Sequence, residues 1–130
     1  MSYNINNVTF GAGIFVIAGQ GGVLKTATTA TINANPGGFW NAWTSRTSGF
    51  GTTEIFNIVF TGNRFYAVGA NGRISHSTDG AVWISIADGS SNYTTSEYIS
   101  AAISLGDGKL LLSGNATSNG WGKMTILEIP

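Results

Sequence analysis

The sequence predicts an all-β protein from three observations: a composition poor in charge, an ungapped internal repeat, and short apolar runs punctuated by glycine and asparagine. Only 9% of the 130 residues are charged, against about 25% in an average soluble domain, whereas 42% are hydrophobic, 12% aromatic and 19 are glycine. Exposed helix faces draw on Glu, Lys and Arg, which are scarce here. Short strands joined by Gly/Asn turns suit what remains.

The repeat organises the chain. Residues 8–24 align with residues 58–74 at a constant offset of 50, so that Phe10/Phe60, Phe15/Phe65, Gly19/Gly69, Gly22/Gly72 and Leu24/Ile74 coincide. A third copy at 103–114 lies a further 45 residues on, with Leu105 on Phe60, Leu110 on Phe65 and Gly114 on Gly69. Units of four short strands repeating every 45 to 50 residues have the period of β-propeller blades.

Each copy resolves into strands. The first predicts strands at 5–10, 14–19 and 22–28, then a longer connection through Asn35-Pro36-Gly37-Gly38 to a fourth strand at 39–43. The second predicts 55–60, 64–69, 73–77 and 82–86, separated by Thr61-Gly62-Asn63, Ala70-Asn71-Gly72 and Thr78-Asp79-Gly80 turns. The third predicts 98–105, 109–114 and 123–129 and is one strand short. The expectation is one domain over 1–130 with three tandem four-stranded antiparallel blades at 5–45, 55–87 and 98–129, the third incomplete.

Propellers close with four to eight blades, so three leave sheet faces and edges open. Closure by oligomerisation follows as the expectation: a homodimer giving six blades is favoured, or a larger virion assembly, with residues 1–4 completing the third copy. Docking on a larger partner or a β-prism are the alternatives.

The segment Ser77-Thr78-Asp79-Gly80-Ala81-Val82-Trp83 resembles the Asp-box, the S-x-D-x-G-x-x-W hairpin of sialidase-type propellers, with one residue fewer between Asp and Trp. Asp79 is placed to accept backbone N–H bonds in the turn, Gly80 to take a positive φ, and Trp83 to pack beneath the hairpin. The resemblance implies a structural role for Ser77, Asp79, Gly80 and Trp83. Residues 57–83 are also similar to repeats in bacteriophage tail, fibre and surface proteins. Copies one and three lack the box: Thr29 aligns with Asp79, and Asn119-Gly120-Trp121 is a remnant.

Chemistry is sparse. A sialidase needs three arginines converging on a carboxylate, whereas Arg64 and Arg73 fall at turn edges. The six acids, Glu54, Asp79, Asp88, Glu97, Asp107 and Glu128, offer no convincing glycosidase pair. His76 is the one histidine, read as a surface or interface residue that either faces away from the neighbours of Ile74 or sits at a strand end. One histidine and no cysteine exclude a metal centre, and Gly19–Thr26 places its glycines wrongly for a phosphate loop. No catalytic residue, metal or cofactor is expected.

Six basic residues balance six acidic ones, which disfavours nucleic acid and acidic membranes as partners. No stretch reads as a signal peptide or transmembrane segment, so the expected setting is a virion or the extracellular space, after a cytoplasmic stage in the producing cell. Trp40, Trp43, Trp121, Tyr93 and Tyr98 sit in or beside irregular stretches near Asn41, Asn92 and Asn119. Aromatic faces beside amides suit sugars, making these five the candidate glycan-binding residues; the competing reading makes them blade caps or subunit contacts. The expectation is a structural or interaction protein of phage-virion type (tail, fibre or capsid decoration), with a lectin-like module as the alternative.

Overall fold

The computed structural model describes residues 3–36, 42–86, 91–116 and 122–128. Its strands are β1 (Ile5–Gly11), β2 (Ile14–Gly19), β3 (Leu24–Thr28), β4 (Thr44–Ser45), β5 (Ile55–Phe60), β6 (Phe65–Gly69), β7 (Ile74–Ser77), β8 (Ile84–Ser85), β9 (Ile99–Gly106), β10 (Lys109–Asn115) and β11 (Gly122–Glu128). They form three antiparallel meanders, β1-β2-β3-β4, β5-β6-β7-β8 and β9-β10-β11. The all-β architecture of two four-stranded blades and one three-stranded blade is therefore the one the repeat predicts.

Two details differ. Residues 29–34 form a short helix, α1 (Thr29–Ala34), where the sequence predicts irregular chain; the Thr28 hydroxyl caps it by accepting the Thr31 N–H at 3.1 Å. The fourth strand of the first blade lies at Thr44–Ser45, after the predicted 39–43, of which 39–41 fall outside the described residues. Nor do Tyr3 and Asn4 extend toward the third sheet. Asn4 exchanges hydrogen bonds with Gln20 of its own blade, and the Tyr3 ring lies against Gly21.

The glycine shared by all three copies has one cause. A Cβ on Gly19, Gly69 or Gly114 would stand 2.0, 2.2 or 1.9 Å from the carbonyl oxygen of Asn4, Glu54 or Tyr98. The lead-in to each first strand thus crosses the end of the second, and backbone bonds hold it there: Gln20 N–H to Asn4 O and Ala70 N–H to Glu54 O, both 3.0 Å, and Asn115 N–H to Tyr98 O at 3.2 Å. Only a residue without a side chain admits that crossing.

The sheets pack face to face. Alternation along β6 sends Phe65 and Ala67 to one face, where they meet Val16, Ala18 and Leu24 of the first blade. Tyr66 and Val68 point the other way and join Ile99, Leu110 and Leu112 of the third. Every residue of β6 is consequently buried, which explains its uninterrupted Phe-Tyr-Ala-Val-Gly sequence. First strands neighbour one another, β1 against β5 and β5 against β9, as blades radiating from a common axis require.

Candidate functional site

The turn after β7 has the geometry its residues suggest. The Asp79 carboxylate accepts the backbone N–H groups of Ala81 and Val82 at 2.8 and 3.1 Å and the Ser77 hydroxyl at 3.1 Å. These bonds favour the ionised form and hold its pKa below the ordinary carboxylate value. Gly80 has φ +78°, and its carbonyl accepts the Trp83 indole N–H at 2.7 Å. Trp83 itself is buried in the core between the first two blades. This cluster closes a hairpin against a neighbouring blade, and the three bonds to Asp79 Oδ1 all come from within the turn.

Of the candidate glycan-binding aromatics, Trp43, Tyr93 and Tyr98 fall among the described residues. Trp40 and Trp121 lie outside the described residues. Trp43 is half-buried just before β4, and Tyr98 is exposed with its ring edge-on to Phe56 at 5.6 Å. Tyr93 must be reassigned: it is fully buried in the core between the second and third blades, and its hydroxyl donates to Lys123 O at 2.8 Å. Burial pushes its phenol pKa up. A ring with no free face cannot stack on a sugar.

Tyr93 belongs instead to a second repeat that the strand pattern conceals. Ser48-Gly49-Phe50 and Ser91-Asn92-Tyr93 occupy the two linkers between blades, and in each the serine hydroxyl accepts the N–H of the aromatic residue, at 3.1 and 3.3 Å. The middle residue has positive φ in both, +82° for Gly49 and +66° for Asn92. The aromatic ring then enters an interblade core, Phe50 in the first and Tyr93 in the second. The legible signal was Ser-x-aromatic with Gly or Asn between, a turn signature in a segment that otherwise reads as linker.

His76 lies next to the end of β7 and is half-buried, but it does not face away from Ile74. Strand alternation puts it on the same face as Ile74, and its ring lies 6.0 Å from Tyr66. Its Nδ1 is buried and has no hydrogen-bond partner among the described residues, and desolvation, with the nearby Arg64 charge, lowers its pKa. Arg73 donates to the Phe50 carbonyl at 3.0 Å and Arg46 to the Thr26 hydroxyl at 3.0 Å. Those two guanidiniums are engaged in holding linkers and strands. Between the 61–64 and 106–109 turns lies an open cleft of about 340 Å³ lined by Arg64, Tyr66, Asp107 and Lys109. Among the described residues no three His, Cys, Asp or Glu side chains cluster as metal ligands would, and no helix is long and apolar enough to cross a membrane.

Among the described residues, exposed apolar side chains gather on the two outer sheet faces. On the first blade, Val8 pairs with Ile17 and Phe10 with Phe15, on the face opposite the core-forming Val16 and Ala18. Val8 is 59% and Phe10 52% exposed. On the third blade, Leu111 pairs with both Ile103 and Ile126, on the face opposite Leu110 and Leu112. Ile103, Ile126 and Met124 are 54%, 55% and 67% exposed. Apolar faces of this kind mark interaction surfaces more often than catalytic ones.

No curated protein and no solved structure matches the chain at a significant level. A family model does match, over residues 4–126, and it spans the three blades described above. On that match and on the stacked antiparallel sheets, the chain belongs to the DUF6242 beta propeller domain family.

Proposed function

We infer that this chain is a non-enzymatic interaction protein whose sheet faces serve as assembly surfaces. The observation that carries the reading is the pair of apolar outer faces, Val8/Phe10 at one end of the blade stack and Ile103/Ile126 at the other. Burial of such faces is the main favourable term in protein association. Three of the candidate catalytic groups have structural partners: Asp79 is engaged in its own turn, and Arg46 and Arg73 bond to the Thr26 hydroxyl and the Phe50 carbonyl. Incubation with fluorogenic glycosides tests the non-enzymatic part. Turnover that follows the purified chain would overturn it.

The setting we infer is a virion-type component, in a tail, a fibre or a capsid decoration. Its support is the similarity of residues 57–83 to repeats in phage tail and fibre proteins, together with the low charge of the chain. Immunogold labelling of particles released by the producing cell is the direct test: label on the particle is expected, and a chain found only in the particle-free fraction rejects the setting. The alternative of a glycan-binding module rests on exposed Tyr98 and half-buried Trp43 and has lost Tyr93. A glycan array with selective, saturable binding would favour it.

A further inference from the structure

We propose that two copies of this chain close head to tail into a six-bladed ring, the outer face of the first blade of each seated on the outer face of the third blade of the other. The proposal rests on the reading of the chain as an assembling interaction protein. It names the partner and the two surfaces that meet.

The first-blade face is a copy of one that is already buried. Val8, Phe10, Phe15 and Ile17 precede by 50 residues Ile58, Phe60, Phe65 and Ala67, the face by which the second blade packs on the first. The aromatic pairs are set alike, Phe10 and Phe15 at 4.6 Å and 53°, Phe60 and Phe65 at 4.7 Å and 49°. A surface already held in its docked geometry loses little entropy on docking.

Knob and socket both repeat. The Phe60 ring occupies the space beside Gly11, where a Cβ would stand 2.3 Å from Phe60 Cγ. Counting by the repeat offsets, the position of Gly11 falls on Thr61 in the second copy and on Gly106 in the third. A Cβ on Gly106 would meet nothing within 4 Å. Gly106 pairs with Lys109, which alternation places on the same face as Leu111. The third blade thus carries a glycine socket beside the Ile103, Leu111 and Ile126 row, and the first carries the exposed Phe10 knob.

Stoichiometry follows from closure. A head-to-tail interface generates either a closed ring or an open filament. With three blades per chain, two copies reach six, inside the range of four to eight, whereas three copies would exceed it.

Light scattering on the 130-residue chain at micromolar concentration is expected to report twice its 13.5 kDa mass. Phe10→Asp and Ile126→Lys change exposed residues on opposite faces, and circular dichroism checks that each still folds. Each should weaken dimerisation at least about thirtyfold, as hot-spot substitutions do. Mixing the two variants should form a heterodimer, because one intact face of each kind remains. A monomeric wild type, a mass of three or more chains, or a dimer indifferent to both variants overturns the proposal. A monomer would leave the interaction-protein reading standing; glycoside turnover by a dimer would do the reverse.

Discussion

Trp83 donates its indole N–H to the carbonyl of Gly80 at 2.7 Å, so the residue that plugs the interblade core also closes the hairpin that delivers it. Trp83→Ala removes both the bond and the buried ring and should cost about 3–5 kcal/mol. Trp83→Phe keeps most of the ring and should cost about 1–2 kcal/mol, chiefly from the unpaired Gly80 carbonyl. Urea titration followed by far-UV dichroism measures both, and equal costs would refute the division.

Asp79 predicts a pH dependence. Its pKa in the folded chain lies below its unfolded value of about 4, because the Val82 and Ala81 N–H groups and the Ser77 hydroxyl bond the ionised form. A depressed carboxylate pKa adds stability that is fully present above the unfolded value and is lost as pH falls through the folded one. Melting temperature should therefore fall below about pH 4 more steeply in wild type than in Asp79→Asn. Parallel acid limbs would show that the turn bonds do not discriminate the charge.

His76 acts in a higher window. Its folded pKa is lowered by desolvation and then by Arg64, so the unfolded chain binds the proton more readily. Stability should decline as pH drops from about 6.5 toward the lowered value, and His76→Phe should flatten that segment of the curve. Thermal melts between neutral pH and pH 5 read this out, and an unchanged slope in the variant would count against it.

Gly69→Ala tests the crossing at the end of the second strand. The added Cβ would sit 2.2 Å from the Glu54 carbonyl oxygen, a backbone atom that cannot swing aside. Destabilisation above about 3 kcal/mol is expected, in the class of severe core overpacking. Denaturant midpoints near wild type would mean that the lead-in strand relocates freely.

Tyr93→Phe separates a packing role from a ligand role. Loss of the 2.8 Å bond to the Lys123 carbonyl should cost about 1 kcal/mol, with no effect on any glycan signal. A chain of unchanged stability but altered array binding would return Tyr93 to the surface.

Much of this fold was legible because a repeat is a statement about shape that survives without coordinates. Phe10/Phe60 and Gly19/Gly69 aligned, strand boundaries followed within a few residues, and the Ser77–Trp83 hairpin could be drawn from the donors and acceptors its residues carry. The misplaced elements share a cause. Helix α1 owes its start to one threonine cap, and β4 is two residues long, too short for any periodic pattern. Tyr93 stands in a linker whose polar composition reads as surface, yet the turn at Asn92 swings its ring into the core.

The amino-acid pattern alone dictates the unit: alternating apolar residues, turn glycines and the spacing that makes three similar sheets. Identical patterns in copies one and two could not reveal that Ile58 is buried while its counterpart Val8 is exposed. Only the tertiary structure decides that, because burial of a sheet face depends on whether another blade stands against it. The middle blade has a neighbour on both sides, and each end blade has one.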